Sequence, residues 1–383
     1  MTDAAFFPPR ESSPPSPSSG KWRVALYLAL FFMGFALTAG VVHWWGLERP
    51  PLPSLGILED KLKLIHRQRD QINVIFLGTS RTDMGIHPES FDQAMAEQGC
   101  PGVYSFNFGI EHLNPIEAQW ALNRIAEIAP PRLRWIVAEL PVSRYYTMFN
   151  NRFSMRYRVM LGWENLLPYL EDIRRQPILR RYQLRDAGWL LATMVVDRSG
   201  IGLLSRSFFP LTSLKDPFQA PDDSLLKGSG RGFYFDYMAG NLPKPDRAAR
   251  SAERWIARQK VYIDSWKDEY AARNGKGHFA RVRPLLEKII EYRYQPLLIS
   301  LPAINAYALS QPLIAEVNRW RPELPTFDFN HPDHWPEFFR AEHLFGGAHL
   351  NEKGAALFSR TLAVSLCPVM ARDTPPPPPP PPT

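Results

Sequence analysis

A chain of 383 residues with 45% hydrophobic content, 11 Trp and 23 Phe has ample apolar area for a folded core, which excludes a disordered or fibrous protein. Its formal charge of +7 is scattered over candidate helices (Arg174, Arg175, Arg180, Arg181; Arg247, Arg250, Arg254, Arg258). That pattern fits solvated helix faces, the alternative being attraction to anionic headgroups or an acidic polymer; with no nucleic-acid-binding motif, no nucleic acid partner is expected.

Residues 1–23 are Pro/Ser-rich and read as a disordered cytoplasmic tail, and 371–383 end in a proline run that can only be polyproline II or disordered. Between Val24 and Trp45 no residue is charged. Those 22 residues reach ~33 Å as a helix, enough for a hydrocarbon core of ~30 Å. Lys21 and Arg23 precede the run and Trp44 and Trp45 close it, so 24–46 is expected to be one transmembrane helix with the tail inside and the rest exported. A cleaved signal peptide is the competing reading, but the run is long for one, and bulky His43-Trp44-Trp45 stands where small residues precede a cleavage site.

Residues 47–71 read as a Pro-broken linker and a short amphipathic helix, Ile57 to Arg69. The apolar run Ile72 to Leu77 is a buried strand ending in Gly78-Thr79-Ser80-Arg81. A helix over Phe91–Gln98, a strand over Gly102–Phe108, a helix over Pro115–Ile128 and a strand over Leu133–Leu140 follow. The alternation implies βαβ units and a mostly parallel sheet. It lapses from about 143 to 280 into helical stretches (Glu164–Arg175, Arg180–Val196, Asp246–Ala272) and a Gly/Pro-rich loop, read as a helical insertion. It resumes with a helix at Arg281–Tyr292, a strand at Pro296–Leu301, a helix at Leu313–Trp320, a strand at Thr326–Phe329 and a last helix at Glu352–Leu366. The expectation is one α/β domain over 72–370: a flavodoxin-like, three-layer parallel sheet of about five strands with a helical insertion, preceded by the transmembrane helix.

Ser80 stands where a strand ends and the chain turns toward a helix, the carboxyl edge at which open α/β sheets bind ligands. There a hydroxyl can be a nucleophile beside helix N-terminal amides, or simply an N-cap. His349, just before the last helix, reaches the same edge if the first strand is central, and could serve as general base or be structural. His331-Pro332-Asp333-His334 carries ligand-type residues without a third partner at metal spacing, so it reads as a surface loop and no metal is expected. Phe233, Tyr234, Phe235 and Tyr237 could stack on sugar rings or fill core space.

Ile75-Phe76-Leu77-Gly78-Thr79-Ser80-Arg81, Ser105 to Ile110, and His349-Leu350-Asn351-Glu352-Lys353-Gly354-Ala355 together resemble the SGNH/GDSL hydrolase-like superfamily. More narrowly the chain is similar to its membrane-anchored, envelope-modifying branch, which includes alginate O-acetylation proteins and the D-alanyl transfer protein of teichoic acid. The resemblance implies Ser80 as nucleophile, His349 as base, and the backbone amides of Ser80 and Gly109 as oxyanion donors, with no cofactor. It implies acyl transfer to, or ester hydrolysis on, an envelope or exported polysaccharide, the acyl group being in particular acetyl. An acylated carrier substrate and a membrane-bound acyltransferase partner would suit the anchor. The sequence departs from the pattern at Gly346, where the family has Asp, and at Glu139-Leu140-Pro141, where it has Gly-x-Asn. The third member of a triad is therefore unassigned: Asp328 or Glu342 could orient His349, or a Ser80/His349 dyad could act without either. The alternative function is a catalytically silent polysaccharide-binding or scaffold protein.

The two cysteines, Cys100 and Cys367, follow the first and last helices of the sheet. A flavodoxin-like winding sets those helices side by side, so the thiols are expected to meet, either bridged in an oxidising compartment or left as two unpaired buried thiols.

Overall fold

Five short apolar runs pair in parallel: β1 (Val74–Gly78), β2 (Ser105–Gly109), β3 (Trp135–Glu139), β4 (Gln295–Ser300) and β5 (Thr326–Asp328), in the order β2-β1-β3-β4-β5. The computed structural model describes residues 18–44, 57–140, 163–175, 180–198, 231–233, 254, 268–303, 307–345 and 349–372. Two compact units separate, Met1–Leu52 with Val195–Thr212, and Pro53–Met194 with Ser213–Thr383, the second holding the sheet.

Side chains alternate across a strand, and here both faces are apolar because helices cover both. Ile75, Leu77, Ile136, Ala138 and Leu298 point to one face. They meet α2 (Ile57–Gln68), α5 (Pro115–Ile128), α8 (Asp268–Glu291) and α9 (Tyr307–Trp320) through Leu58, Leu122, Leu286 and Val317. Val74, Phe76, Trp135, Val137 and Ile299 point to the other. There they pack on Phe91 and Met95 of α4 (Pro88–Glu97) and on Phe358, Leu362 and Leu366 of α10 (Glu352–Arg372). Burying one such side chain is worth ~1.5–3 kcal/mol, so these two layers hold the sheet together.

Helix starts follow their caps. Asn114 and Glu117 form a reciprocal capping box with Pro115 in the first turn of α5, and α5 spans the predicted Pro115–Ile128. His87 caps α4 ahead of Pro88. The short α3 (Ser80–Gly85) is capped by Thr79, whose side chain accepts from the Arg81 amide at 3.3 Å.

Several expectations change. The amphipathic helix expected over Ile57–Arg69 forms as α2, and it belongs to the core rather than to a connection ahead of it: Leu58, Leu64 and Ile65 are buried, because its apolar stripe faces the sheet. The helix expected from Arg281 begins at Asp268 and runs through Pro284. The last helix continues past Leu366 to Arg372 through Pro368, whose missing hydrogen bond falls on the carbonyl of Val364, on the exposed side. Of the insertion, α6 (Trp163–Arg175) and α7 (Arg180–Arg198) are described. Tyr169 and Ile173 of α6 and Leu190 and Met194 of α7 pack with Ile116, and Asp172 pairs with Arg281 of α8. The helix expected over Asp246–Ala272 lies outside the described residues except for Arg254 and its last five positions, which belong to α8.

In the smaller unit α1 spans Ser18–Trp44. Its Tyr27, Phe31, Phe32 and Leu37 are each more than 60% exposed. By length and composition α10 is the helix among the described residues that is long and apolar enough to cross a membrane, while the apolar stretch Trp22–Thr38 of α1 is shorter. Half of the α10 stretch is buried, on the sheet, as a core helix is.

Cys100, after α4, and Cys367, within α10, are joined in a disulfide with Cα atoms 5.9 Å apart. It closes a loop of 267 residues between the two helices of one face. On the chain-entropy account that stabilises by about 5 to 6 kcal/mol. Reductant, or Cys100→Ser with Cys367→Ser, is expected to lower the denaturant midpoint accordingly. Identical unfolding curves with and without reductant, or complete alkylation of both cysteines in unreduced denatured protein, would reject the bridge.

Candidate active site

In the order β2-β1-β3-β4-β5 the chain winds outward in opposite directions from β1 and β3, so the crevice between their carboxyl ends is the switch point where such sheets bind ligands. Ser80 follows β1 there. Because Thr79 takes the capping role, the Ser80 hydroxyl is left for another partner. That partner is His349: Ser80 Oγ lies 2.8 Å from His349 Nε2, across 269 residues of sequence.

His349 stands on a small hairpin rather than in a loop: β7 (His349–Leu350) pairs antiparallel with β6 (Leu344–Phe345), Phe345 opposite His349. The rest of its motif holds the hairpin. Leu350 is buried in the face covered by α4 and α10. Asn351 donates from Nδ2 to the Glu342 carbonyl (2.7 Å), its backbone N–H donates to the His343 carbonyl (2.9 Å), and its Oδ1 accepts from the Gly354 amide (2.9 Å). A Cβ on Gly354 would overlap the His343 carbonyl, so the helix can start this close only with glycine there.

Beneath the Ser80 turn sits Glu139, the last residue of β3 and 4% exposed. Its carboxylate accepts from the Thr79 amide (2.6 Å), Thr79 Oγ1 (2.9 Å) and Thr82 Oγ1 (2.7 Å), and pairs with the Arg81 guanidinium (3.0 Å). A Cβ on Gly78 would overlap Thr82 Oγ1 and a Glu139 carboxylate oxygen, which explains the glycine ahead of Thr79-Ser80. From the other side the fully buried Lys61 of α2 reaches Asp83 Oδ1 (2.5 Å) and the Gly109 carbonyl (2.7 Å). Burial pushes the Lys61 ammonium below its usual range and the Asp83 carboxyl above its own. Asn107 Nδ2 donates to the carbonyls of Thr82 (2.8 Å) and Ile86 (2.7 Å).

Two expected roles change here. The Gly109 amide is not available as an oxyanion donor, because it donates to Asn107 Oδ1 at 2.8 Å. Gly109 instead lets α3 approach β2, since a Cβ there would overlap the Asp83 backbone. The Ser80 amide, by contrast, has no acceptor among the described residues. Nor does Asp328 or Glu342 hydrogen-bond His349. Asp328 is tied to the Asn330 amide (3.0 Å), to Gln311 and to Ser310, and burial pushes its carboxyl up. Glu342 is exposed, 3.9 Å from both Arg340 and His343. His331 and His334 stack on each other in the turn after β5, and among the described residues no group of three metal-ligating side chains forms. Phe233 lies edge-on to His87; Tyr234, Phe235 and Tyr237 lie outside the described residues.

Sequence reasoning passed over Arg81, Glu139, Lys61 and His112. The signals were present: an acid ending the apolar run of β3, and a lysine inside the apolar stripe of α2 between Leu58 and Leu64. His112, in the left-handed region (φ 54°) after β2, stands close enough for its charge to bear on His349.

Burial, then the charges of Arg81 and His112, lower the His349 pKa to about 4. The ring is therefore neutral at pH 7, and with its proton on Nδ1 it can accept the Ser80 hydroxyl proton at Nε2. Compared with known proteins, the chain matches no protein-family model and no curated protein sequence.

His278 of α8 is likewise lowered to about 4, by burial and then by Arg281. Both folded values lie below the ordinary 6.5, so the unfolded chain takes up these protons first as pH falls. Stability is full above about pH 6.5 and declines toward pH 4, by on the order of 1 to 2 kcal/mol per histidine at pH 5. Denaturant titrations at pH 7 and 5 should show this loss, and His278→Gln with His349→Gln should shrink it. A loss unchanged in the double variant would assign it to other groups.

Proposed function

We propose that this chain is a membrane-anchored serine acyl hydrolase or acyltransferase of SGNH-like type, acting on O-acyl, in particular O-acetyl, groups of an envelope or exported polysaccharide. The observation that carries the reading is the 2.8 Å contact between Ser80 Oγ and His349 Nε2 at the switch point. The strand order 2-1-3-4-5, which is that of flavodoxin-like windings, supports it too. The uncharged apolar stretch of α1, with large side chains exposed, supports an N-terminal anchor.

In this mechanism Ser80 Oγ attacks the ester carbonyl carbon as His349 Nε2 takes the hydroxyl proton. The tetrahedral intermediate collapses by breaking the bond to the leaving sugar oxygen, which takes the proton from His349, leaving acyl-Ser80. A water or an acceptor hydroxyl then gives its proton to His349 and attacks the acyl carbon; the bond to Ser80 Oγ breaks as His349 returns the proton to Oγ, releasing acid or acylated acceptor and restoring Ser80.

The full chain in detergent should hydrolyse a chromogenic acetyl ester and be labelled at Ser80 by an organophosphonate. Ser80→Ala and His349→Ala should each reduce kcat to near background, and the double variant should be little worse, because residues acting as a unit are not additive. An active Ser80→Ala protein would end the nucleophile assignment. The scaffold reading is favoured by one observation, that no carboxylate among the described residues hydrogen-bonds His349. It predicts a folded wild-type protein with no turnover and no Ser80 label.

For the anchor, a reporter fused after Arg372 should be active only as an enzyme that requires export. Activity of a cytoplasm-dependent reporter at that position would reject the orientation.

A further inference from the structure

We infer that Arg81 is a catalytic residue whose guanidinium donates to the oxygen that becomes negative when Ser80 attacks, filling the place that the Gly109 amide does not. The inference rests on the acyl-transfer reading above.

An attacked carbonyl needs donors aimed where its charge develops, and in a cleft poor in water each is worth far more than in bulk. The Ser80 amide is one, being without an acceptor among the described residues. The second amide expected, that of Gly109, is consumed by Asn107 Oδ1. Asn107 is itself spent, its Nδ2 holding the carbonyls of Thr82 and Ile86. Arg81 is the neighbouring group with donors to spare. It follows Ser80 in the first turn of α3, and its side chain is 9% exposed. A guanidinium carries five N–H donors. Among the described residues the one polar partner of this guanidinium is Glu139 Oε1, at 3.0 Å.

The guanidinium is held at the turn that carries Ser80, since the Glu139 oxygen it pairs with at 3.0 Å also accepts from Thr79 Oγ1 at 2.9 Å, and its charge opposes protonation of His349. Glu139 is then a positioning residue. Its carboxylate, fixed by Thr79 and Thr82, holds the arginine against the turn that carries Ser80. A planar fork held at one corner keeps its other N–H groups in a fixed direction, which a lysine ammonium would not.

The test uses the full chain in detergent, a chromogenic acetyl ester and the pH-independent plateau of kcat. Arg81→Ala should lower that plateau by about 10²-fold or more with KM nearly unchanged, as loss of one oxyanion donor does. Guanidinium ion in the assay should restore part of the lost rate, a rescue that a purely structural role would not give. Removing the charge should also move the acid limb of the profile to higher pH, because Arg81 disfavours the His349 imidazolium.

A plateau kcat within about threefold of wild type would overturn the inference, as would a raised KM at unchanged kcat, which would make Arg81 a ground-state anion binder. A deep loss that guanidinium leaves unrestored in a protein with its thermal transition intact would overturn it too. If Arg81→Ala does not fold, Arg81→Lys keeps an ion pair with Glu139 and decides the matter: a plateau equal to wild type overturns the inference. Wild-type protein without turnover or Ser80 label is a separate result, which removes the acyl-transfer reading and this inference with it.

Discussion

One carboxylate, that of Glu139, determines the geometry at the centre of the sheet. It lies at the end of β3, beside the end of β1, accepts from the Thr79 amide and two threonine hydroxyls, and pairs with a guanidinium. A charge so buried is tolerable only when its oxygens are saturated with donors, and losing one partner of such a pair costs about 3 to 5 kcal/mol. The need for donors in turn dictates the residues around it. Gly78 leaves room for the carboxylate, Thr79 serves as cap and donor at once, and Thr82 sits one turn on. Ser80, between them, is the turn residue whose side chain the network does not consume.

The same turn is braced from two further directions. Lys61 carries the segment ahead of the sheet onto Asp83 and the Gly109 carbonyl, and Asn107 spans from β2 to the carbonyls along α3. The far side of the site is supplied by the end of the chain, where the β6–β7 hairpin and α10 bring His349 back to β1. Parts so distant in sequence meet only if the sheet is complete. The disulfide between the regions of α4 and α10 acts on that condition by limiting how far the last helix can depart in the unfolded chain.

Most of the fold was legible because its signals are local. Apolar runs of strand length, Pro and Asn at helix starts and the alternation of the two gave the five strands and most helices, with boundaries within a few residues for elements such as α5. Ser80 and His349 were legible from position, one after the first strand and one before the last helix. What escaped depends on three-dimensional partners. Lys61 gains its role only once Asp83 is placed against it. Glu139 gains its role only once the Ser80 turn lies over it. Gly109 reads as a donor until Asn107 is seen to claim its amide. The span of α8 was missed for a different reason: Gly275 and Gly277 lie between the stretches expected to be helical up to Ala272 and from Arg281, yet the helix continues through them.

The arrangement around His349 has a further physical consequence on the acyl-transfer reading. In the resting site a neighbouring cation and burial both oppose protonation of the ring, which makes it a weak base. That is the reverse of the usual acid-supported histidine, whose carboxylate favours the imidazolium in the ground and transition states alike. When the tetrahedral intermediate forms, its oxygen carries a negative charge beside both Arg81 and His349. The repulsion between the two cations is then offset by an anion common to both, and the proton affinity of the ring rises as the proton arrives. An interaction present in the transition state and absent in the ground state accelerates the chemical step. A Ser/His pair with an arginine above a buried glutamate would thus obtain from the developing charge what a triad obtains from a fixed carboxylate.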